Sequence, residues 1–266
     1  MFLRTIAIIL LLTSCAAHAS PQEPELVMDN AQEDFDLWLE DFAERAIDKG
    51  ISPETVDEAL SNVVLSKKAV ALDRKQPEKK LTMEEYLDNV INDARIEKGR
   101  RLMEENRVLL NDIYAKTGVE PEYIVALWGL ESGYGEKQGD FQVINALATL
   151  AYEGRRRAFF ESELMAALVI LEQQKIPSSE LRGSWAGAMG QCQFMPSSYL
   201  AYAVDYNHDH HIDIWGSKED VLGSIANYLR TVGWGKSEEQ KTKVLMDWNR
   251  STYFVASVFE LAEEIK

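Results

Sequence analysis

Apolar residues recur at helical spacing over most of the chain. Phe35, Leu39, Phe42 and Ala46 fall three or four apart, and Gly50 follows where that run stops. This is the pattern of an amphipathic helix closed by a glycine. Ser52-Pro53 opens another helix, with a capping hydroxyl and a proline in the first turn. Residues 83–115 read as one long, charged, amphipathic helical stretch. No strand-period pattern runs beyond a few residues, and neither a glycine-rich phosphate loop nor a repeat of 20–50 residues is present. The predicted fold class is mainly α.

The pattern is broken at one informative place. Pro121 fits the first turn of a helix, and Gly133 and Gly135 end it. Ile124, Leu127 and Trp128 mark its buried face, and the next position on that face is Glu131. A carboxylate on an apolar face is costly unless it is used or paired. Desolvation there raises its pKa, as a general acid working at neutral pH requires. The alternative is an ordinary C-terminal glutamate that reaches water or pairs with an arginine.

Composition narrows the classes. A hydrophobic fraction of 46% supports a core of ordinary size. The net charge of -16 opposes binding to nucleic acid or to an anionic lipid surface. Residues 1–19 read as an export signal, with Arg4 ahead of a short apolar run that is too brief to span a bilayer. Two exits are written there. Ala17-His18-Ala19 fits an ordinary signal-peptidase site. Leu12-Thr13-Ser14-Cys15 looks like a lipobox that would acylate Cys15, and is the preferred reading. Residues 20–33 read as a linker, 34–110 as a helical N-terminal region and 111–266 as the catalytic core. Cleavage at either exit leaves Cys192 without an intrachain cysteine partner.

Two further segments carry chemistry. Residues 184–199 are dense in glycines, amides, hydroxyls and aromatics, which suits close approach to a sugar but also a tight corner between helices. Asp205-Tyr206-Asn207-His208-Asp209-His210-His211-Ile212-Asp213 sets oxygen side chains at positions 1, 3, 5 and 9 of an EF-hand-like loop. His210 replaces the glycine of position 6, and Gly216 stands where the bidentate glutamate belongs. Asp220 is the candidate replacement. The alternatives are an Asx-rich turn, or a zinc site on the three histidines, which the oxygen-rich donor set disfavours.

Together, Glu131-Ser132-Gly133-Tyr134-Gly135, Gly187-Ala188-Met189-Gly190-x-x-Gln193-Phe194-Met195-Pro196-Ser197-Ser198-Tyr199 and the oxygen-rich loop resemble the membrane-bound lytic murein transglycosylase B family. Leu72-Asp73-Arg74-Lys75-Gln76-Pro77-Glu78, Gly223-Ser224-Ile225-Ala226-Asn227-Tyr228 and Trp248-Asn249-Arg250-Ser251-Thr252-Tyr253-Phe254 extend the likeness over nearly all of the mature chain. The stretch between Trp234 and Val244 is shorter than is usual in the family. The resemblance implies a lysozyme-like fold and non-hydrolytic cleavage of the β-1,4 bond between N-acetylmuramic acid and N-acetylglucosamine, leaving a 1,6-anhydro end. It implies Glu131 as the single catalytic acid and base, supported by Ser132. Ser184, Gln193, Tyr228, Asn249 and Tyr253 would line the cleft. No catalytic cofactor is expected. A structural calcium would sit on Asp205, Asn207, Asp209, the carbonyl of His211 and Asp220, within an EF-hand-like loop over 205–220, with Glu219 as a rival to Asp220. The expected partner is peptidoglycan, and the expected setting is the periplasm of a Gram-negative bacterium, with a monomer anchored to the outer membrane through Cys15. A hydrolase of the same fold and a non-catalytic, calcium-stabilised wall-binding scaffold are the competing readings.

Overall fold

Caps and breakers, rather than strand pairing, set the architecture. The computed structural model describes residues 24–75 and 81–266, with side chains from residue 31 onward. The export signal, its two exits and Cys15 lie outside the described residues, as do residues 76–78 of the family-like segment.

The helix α1 (Pro24–Asp48) begins within the stretch read as a linker. Its glutamates and amides are adequate helix formers. They extend a helix already nucleated by the docked residues Phe35, Phe42 and Ala46, all fully buried. Gln32 ties this extension down by accepting from the Leu65 amide at 3.2 Å. Next come α2 (Pro53–Leu60) and α3 (Lys67–Arg74), opened by the side chains of Ser52 and Ser66.

The long stretch expected over 83–115 is three helices: α4 (Met83–Val90), α5 (Asp93–Glu105) and α6 (Arg107–Thr117). Asparagines make the breaks. Asn92 is extended and caps α5 by accepting from the Arg95 amide. Asn106 leaves the helical region at φ -105, ψ 15, and so ends α5 and starts α6. Side-chain competition for the backbone, which apolar spacing does not register, decides both.

The helix α7 (Pro121–Ser132) lies at the centre, packed by α5, α6, α11 (Lys218–Val232) and α13 (Thr252–Ile265). Ile124, Val125, Ala126 and Leu127 are all inaccessible to solvent, so the helix is buried nearly all round rather than on one face. Beside it α8 (Val143–Glu153) packs on α9 (Arg157–Gln174), which carries α10 (Pro196–Tyr202). The remaining α-helix among the described residues is α12 (Glu238–Trp248). Among the described residues the only strands are β1 (Phe141–Gln142) and β2 (Arg182–Gly183), antiparallel with Phe141 opposite Gly183. No described helix is long and apolar enough to cross a membrane.

Candidate active site

The C-terminal end of α7 is clamped from below. Gly133 and Tyr134 both take positive φ, at 61° and 63°. The Tyr134 ring folds back over Gly129, where a Cβ would lie 2.6 Å from the ring, so that position needs a glycine. Its hydroxyl donates to the Arg95 carbonyl at 2.9 Å. Ser132 is buried; its Oγ donates to the Trp128 carbonyl and accepts from the Gly135 amide at 2.9 Å. Ser132 therefore acts on the turn that carries Glu131, with hydrogen bonds to backbone rather than to the carboxylate.

Glu131 projects from this fixed end and is half-buried. Its Oε1 accepts from the Trp248 indole Nε1 at 2.7 Å. Burial pushes its pKa up to about 7, and the Trp248 bond opposes that rise. Among the described residues no neighbouring charge contributes to the rise. The site thus holds a carboxyl that is protonated and ionised in comparable amounts near neutrality, which suits acid–base exchange.

Aromatic rings form the walls. Trp248, the last residue of α12, meets Tyr228 of α11 edge-on at 4.6 Å and lies 5.4 Å from Phe194. Tyr202 lies 4.4 Å from Tyr228. Tyr253, near the start of α13, meets Tyr86 of α4 at a tilt, with ring centroids 5.6 Å apart. Burial raises the Tyr86 hydroxyl, a hydrogen bond with Ser257 opposes that rise, and the charge of Glu131 adds to it.

The turn over residues 189–194 closes through paired Met189 and Phe194 backbones. Gln193, at φ 50°, donates from Nε2 to the carbonyls of Gln138 and Gly190 at 3.1 and 2.9 Å. Ser184 accepts from the Ala188 amide at 3.0 Å and so braces its own loop. Asn249 directly follows Trp248 and is exposed. Trp248 therefore joins Glu131 to Tyr228 and to the turn that carries Gln193, while Tyr253 meets Tyr86, Asn249 follows Trp248 and Ser184 braces its own loop. Tyr86 and Trp248 were missed as site residues. Tyr86 lies in a helix with no buried residue and leaves no periodic signal; Trp248 opens the family-like segment that ends at Phe254, but its pairing with Glu131 is tertiary.

The oxygen-rich loop folds on itself. Asp205 accepts from the amides of Asp209 and His210, Asn207 from Asp209, and Asp209 from His211. His210 takes φ 71°, the left-handed conformation that the glycine of position 6 supplies in an EF-hand. Asp220 is fully buried and accepts from the amides of Tyr206, Asn207 and Asp213, whereas Glu219 is exposed. Asp220 is thus the acid turned into the loop. Among the described residues no three or more His, Cys, Asp or Glu side chains stand close enough together to hold a metal ion. The three loop histidines are exposed, which gives zinc no nitrogen cage. The donors turned inward are all oxygen, the chemistry of a hard cation.

A model of the transglycosylase SLT domain matches residues 34–244. The chain belongs to that family. It is 38% identical over 155 residues to the membrane-bound lytic murein transglycosylase B of Escherichia coli K12, a match covering 58% of this chain and 43% of that protein. Less than half the length of that relative is therefore spanned. Among solved structures, SltB3 of Pseudomonas aeruginosa in complex with NAG-anhNAM-pentapeptide superposes with a TM-score of 0.82 at 30% identity, over 87% of this chain and 79% of that one. Escherichia coli lytic transglycosylase Slt35 in complex with calcium superposes with a TM-score of 0.78 at 25% identity, over 85% and 92%. The fold of this SLT-domain chain is accordingly lysozyme-like, as the resemblance implied.

Proposed function

We propose that the protein is a lytic transglycosylase that cuts the β-1,4 bond between N-acetylmuramic acid and N-acetylglucosamine in peptidoglycan. The observation that carries this reading is Glu131, a lone carboxyl held by one indole and poised at about 7. Protonated Glu131 gives its proton to the glycosidic oxygen as the C1–O bond breaks. The resulting carboxylate then takes the proton of the muramoyl C6 hydroxyl, whose oxygen closes on C1 to form the 1,6-anhydro ring. One carboxyl serves both steps because the substrate supplies the nucleophile. A hydrolase needs a second carboxylate to act as nucleophile or to activate water. In this reading Tyr228 and Tyr253 pack on sugar faces, while Gln193, Ser184 and Asn249 orient the polar groups. The ligand named for SltB3, NAG-anhNAM-pentapeptide, supports the substrate class.

Digestion of purified cell wall followed by mass spectrometry tests the proposal. Anhydro ends support it, reducing ends mean a hydrolase, and no release means a binding scaffold. Calcium is the structural ion proposed for the 205–220 loop, held by Asp205, Asn207, Asp209, the His211 carbonyl and Asp220. It takes no part in the chemistry. The cell envelope is the proposed location, with Cys15 acylated at the outer membrane. Several acyl chains anchor firmly where one is marginal, each buried methylene contributing about 0.8 kcal/mol. Fractionation of cells expressing the full chain and Cys15→Ala decides this: the variant alone should move to the soluble periplasm.

A further inference from the structure

The geometry points to Trp248 as a positioning residue that fixes which oxygen of Glu131 carries the transferable proton. This rests on the acid–base role proposed for Glu131 and adds a division of labour between its two oxygens.

An indole N–H donates a hydrogen bond and cannot accept one. Trp248 Nε1 lies 2.7 Å from Glu131 Oε1. Oε1 is therefore an acceptor in both protonation states, as the carbonyl oxygen of the acid and as one oxygen of the carboxylate. The proton of the acid resides on Oε2. The same oxygen gives the proton to the leaving group and receives the next one from the C6 hydroxyl, so the carboxyl need not turn between the two steps.

The indole is well placed to impose this. Tyr228 and Phe194 hold its ring at 4.6 and 5.4 Å. Near the other end of its helix, Lys241 pairs with Glu120 at 2.7 Å. Helices α7 and α12 are thus tied together by a charged pair near their N-termini and by the Glu131–Trp248 bond at their C-termini. The titratable groups on the surrounding elements are Tyr86 on α4, Tyr253 on α13, Tyr228 on α11 and Cys192 in the 189–194 turn, with the cations Arg95 and Lys98 on α5. Burial pushes Tyr228 up to about 12 and raises Tyr86 and Cys192 as well, so these three are neutral where Glu131 titrates. Arg95 is turned to the Val90 carbonyl, and Lys98 to Glu136 and the Gly133 carbonyl. Trp248 is therefore the one side chain hydrogen-bonded to Glu131 among the described residues.

Nuclear magnetic resonance on the full chain, with glutamate carboxyl and indole nitrogen labels, tests the inference without requiring turnover. One of the six indole N–H signals should shift with pH at the Glu131 midpoint and lose that shift in Glu131→Gln. In Trp248→Phe the Glu131 midpoint should rise, because burial is then unopposed. An indole spectrum indifferent to Glu131→Gln, or an unchanged midpoint in Trp248→Phe, overturns it. Turnover gives the second readout. Trp248→Phe should lower kcat about ten- to a hundred-fold, the worth of one hydrogen bond to a charged group, with KM nearly unchanged and the alkaline limb of the pH profile moved upward. Trp248→Tyr, which restores a donor, should recover part of the loss. A parent that releases no anhydro ends refutes the proposed activity, while the resonance experiment still decides the role of Trp248.

Discussion

The two ends of α7 carry two glutamates in nearly matching company. Glu120, at the N-cap, accepts from the Trp234 indole at 2.7 Å; Glu131, in the last turn, accepts from the Trp248 indole at 2.7 Å. Burial raises both carboxyls. At Glu120 the Lys241 ammonium, with Trp234, outweighs burial and holds the group below the usual carboxylate range. Glu131 has only the indole, and burial takes it to about 7. The helix field works in the same sense, favouring an anion at the N-terminus and opposing one at the C-terminus. A neutral N–H donor orients a carboxyl without forcing it to ionise; a cation forces it. One glutamate is thereby a structural pin and the other an exchangeable acid.

The sharpest way to break this comparison is to remove the exchangeable proton. Glu131→Gln keeps the shape and the indole contact but has no acid to give. Turnover should fall by at least about 10²–10⁴-fold, the range for losing a general acid, while folding and glycan binding persist. Release of anhydro-muropeptides at a tenth of the parent rate would sink the assignment.

The complementary experiment removes the cation instead. Lys241→Met leaves Glu120 with an indole alone, the arrangement of Glu131. Breaking a buried pair from one side costs about 3–5 kcal/mol. Because Glu120 keeps 27% of its side-chain surface exposed, a loss of about 2 kcal/mol in urea denaturation is expected on that scale. Lys241→Met with Glu120→Gln should regain most of it. A single variant as stable as the parent would show that the cation is not what separates the two ends.

The sequence shows half of this contrast. Glu131 on the face of Ile124, Leu127 and Trp128 is visible from spacing alone, because a carboxylate at an apolar position is an anomaly of period. Its partner is not, because Trp248 lies 117 residues away and reaches it only through the fold. The fold class was legible for the same reason as Glu131: one helical period dominates the chain. The breaks at Asn92 and Asn106 and the start of α1 at Pro24 were not, because caps and docking decide them locally. In the oxygen-rich loop the sequence left Asp220 and Glu219 as rivals. Burial separates them, since the first turn of α11 points one inward and the other out.

Asp220 offers a third case. It is fully buried, receives three backbone amides, and makes no salt bridge among the described residues. Burial raises its pKa, as does the nearby charge of Asp205. If a bound cation is to Asp220 what Lys241 is to Glu120, calcium should stabilise the chain. At a hundred times its Kd an ion that binds only the folded state adds about 2.7 kcal/mol. The melting temperature should rise with calcium and fall with chelator, and Asp209→Ala should abolish the response. A melting curve indifferent to both would remove calcium from the loop.

The smallest expected effect follows from the sign of the Glu131 shift. In the unfolded chain this carboxyl titrates near 4.5, and in the folded chain near 7. Between those values the folded state binds the extra proton, so stability falls as pH rises through that window. Above about 7 both states are ionised, and the full cost of a half-buried anion remains. Glu131→Gln removes that cost but not the packing. The variant should therefore melt higher than the parent at pH 8, by a few degrees for a difference of about 1 kcal/mol, and the gap should close as pH falls toward 5. Glu120→Gln should behave in the opposite way, since that carboxyl is held below its usual range and loses its stabilising charge pair when replaced: it should melt lower than the parent at pH 8, with the gap closing on acidification through and below the ordinary carboxylate range, as the parent carboxyl is itself protonated. Parallel gaps of one sign for the two variants would mean that burial, not the presence or absence of Lys241, sets the behaviour of both ends of α7.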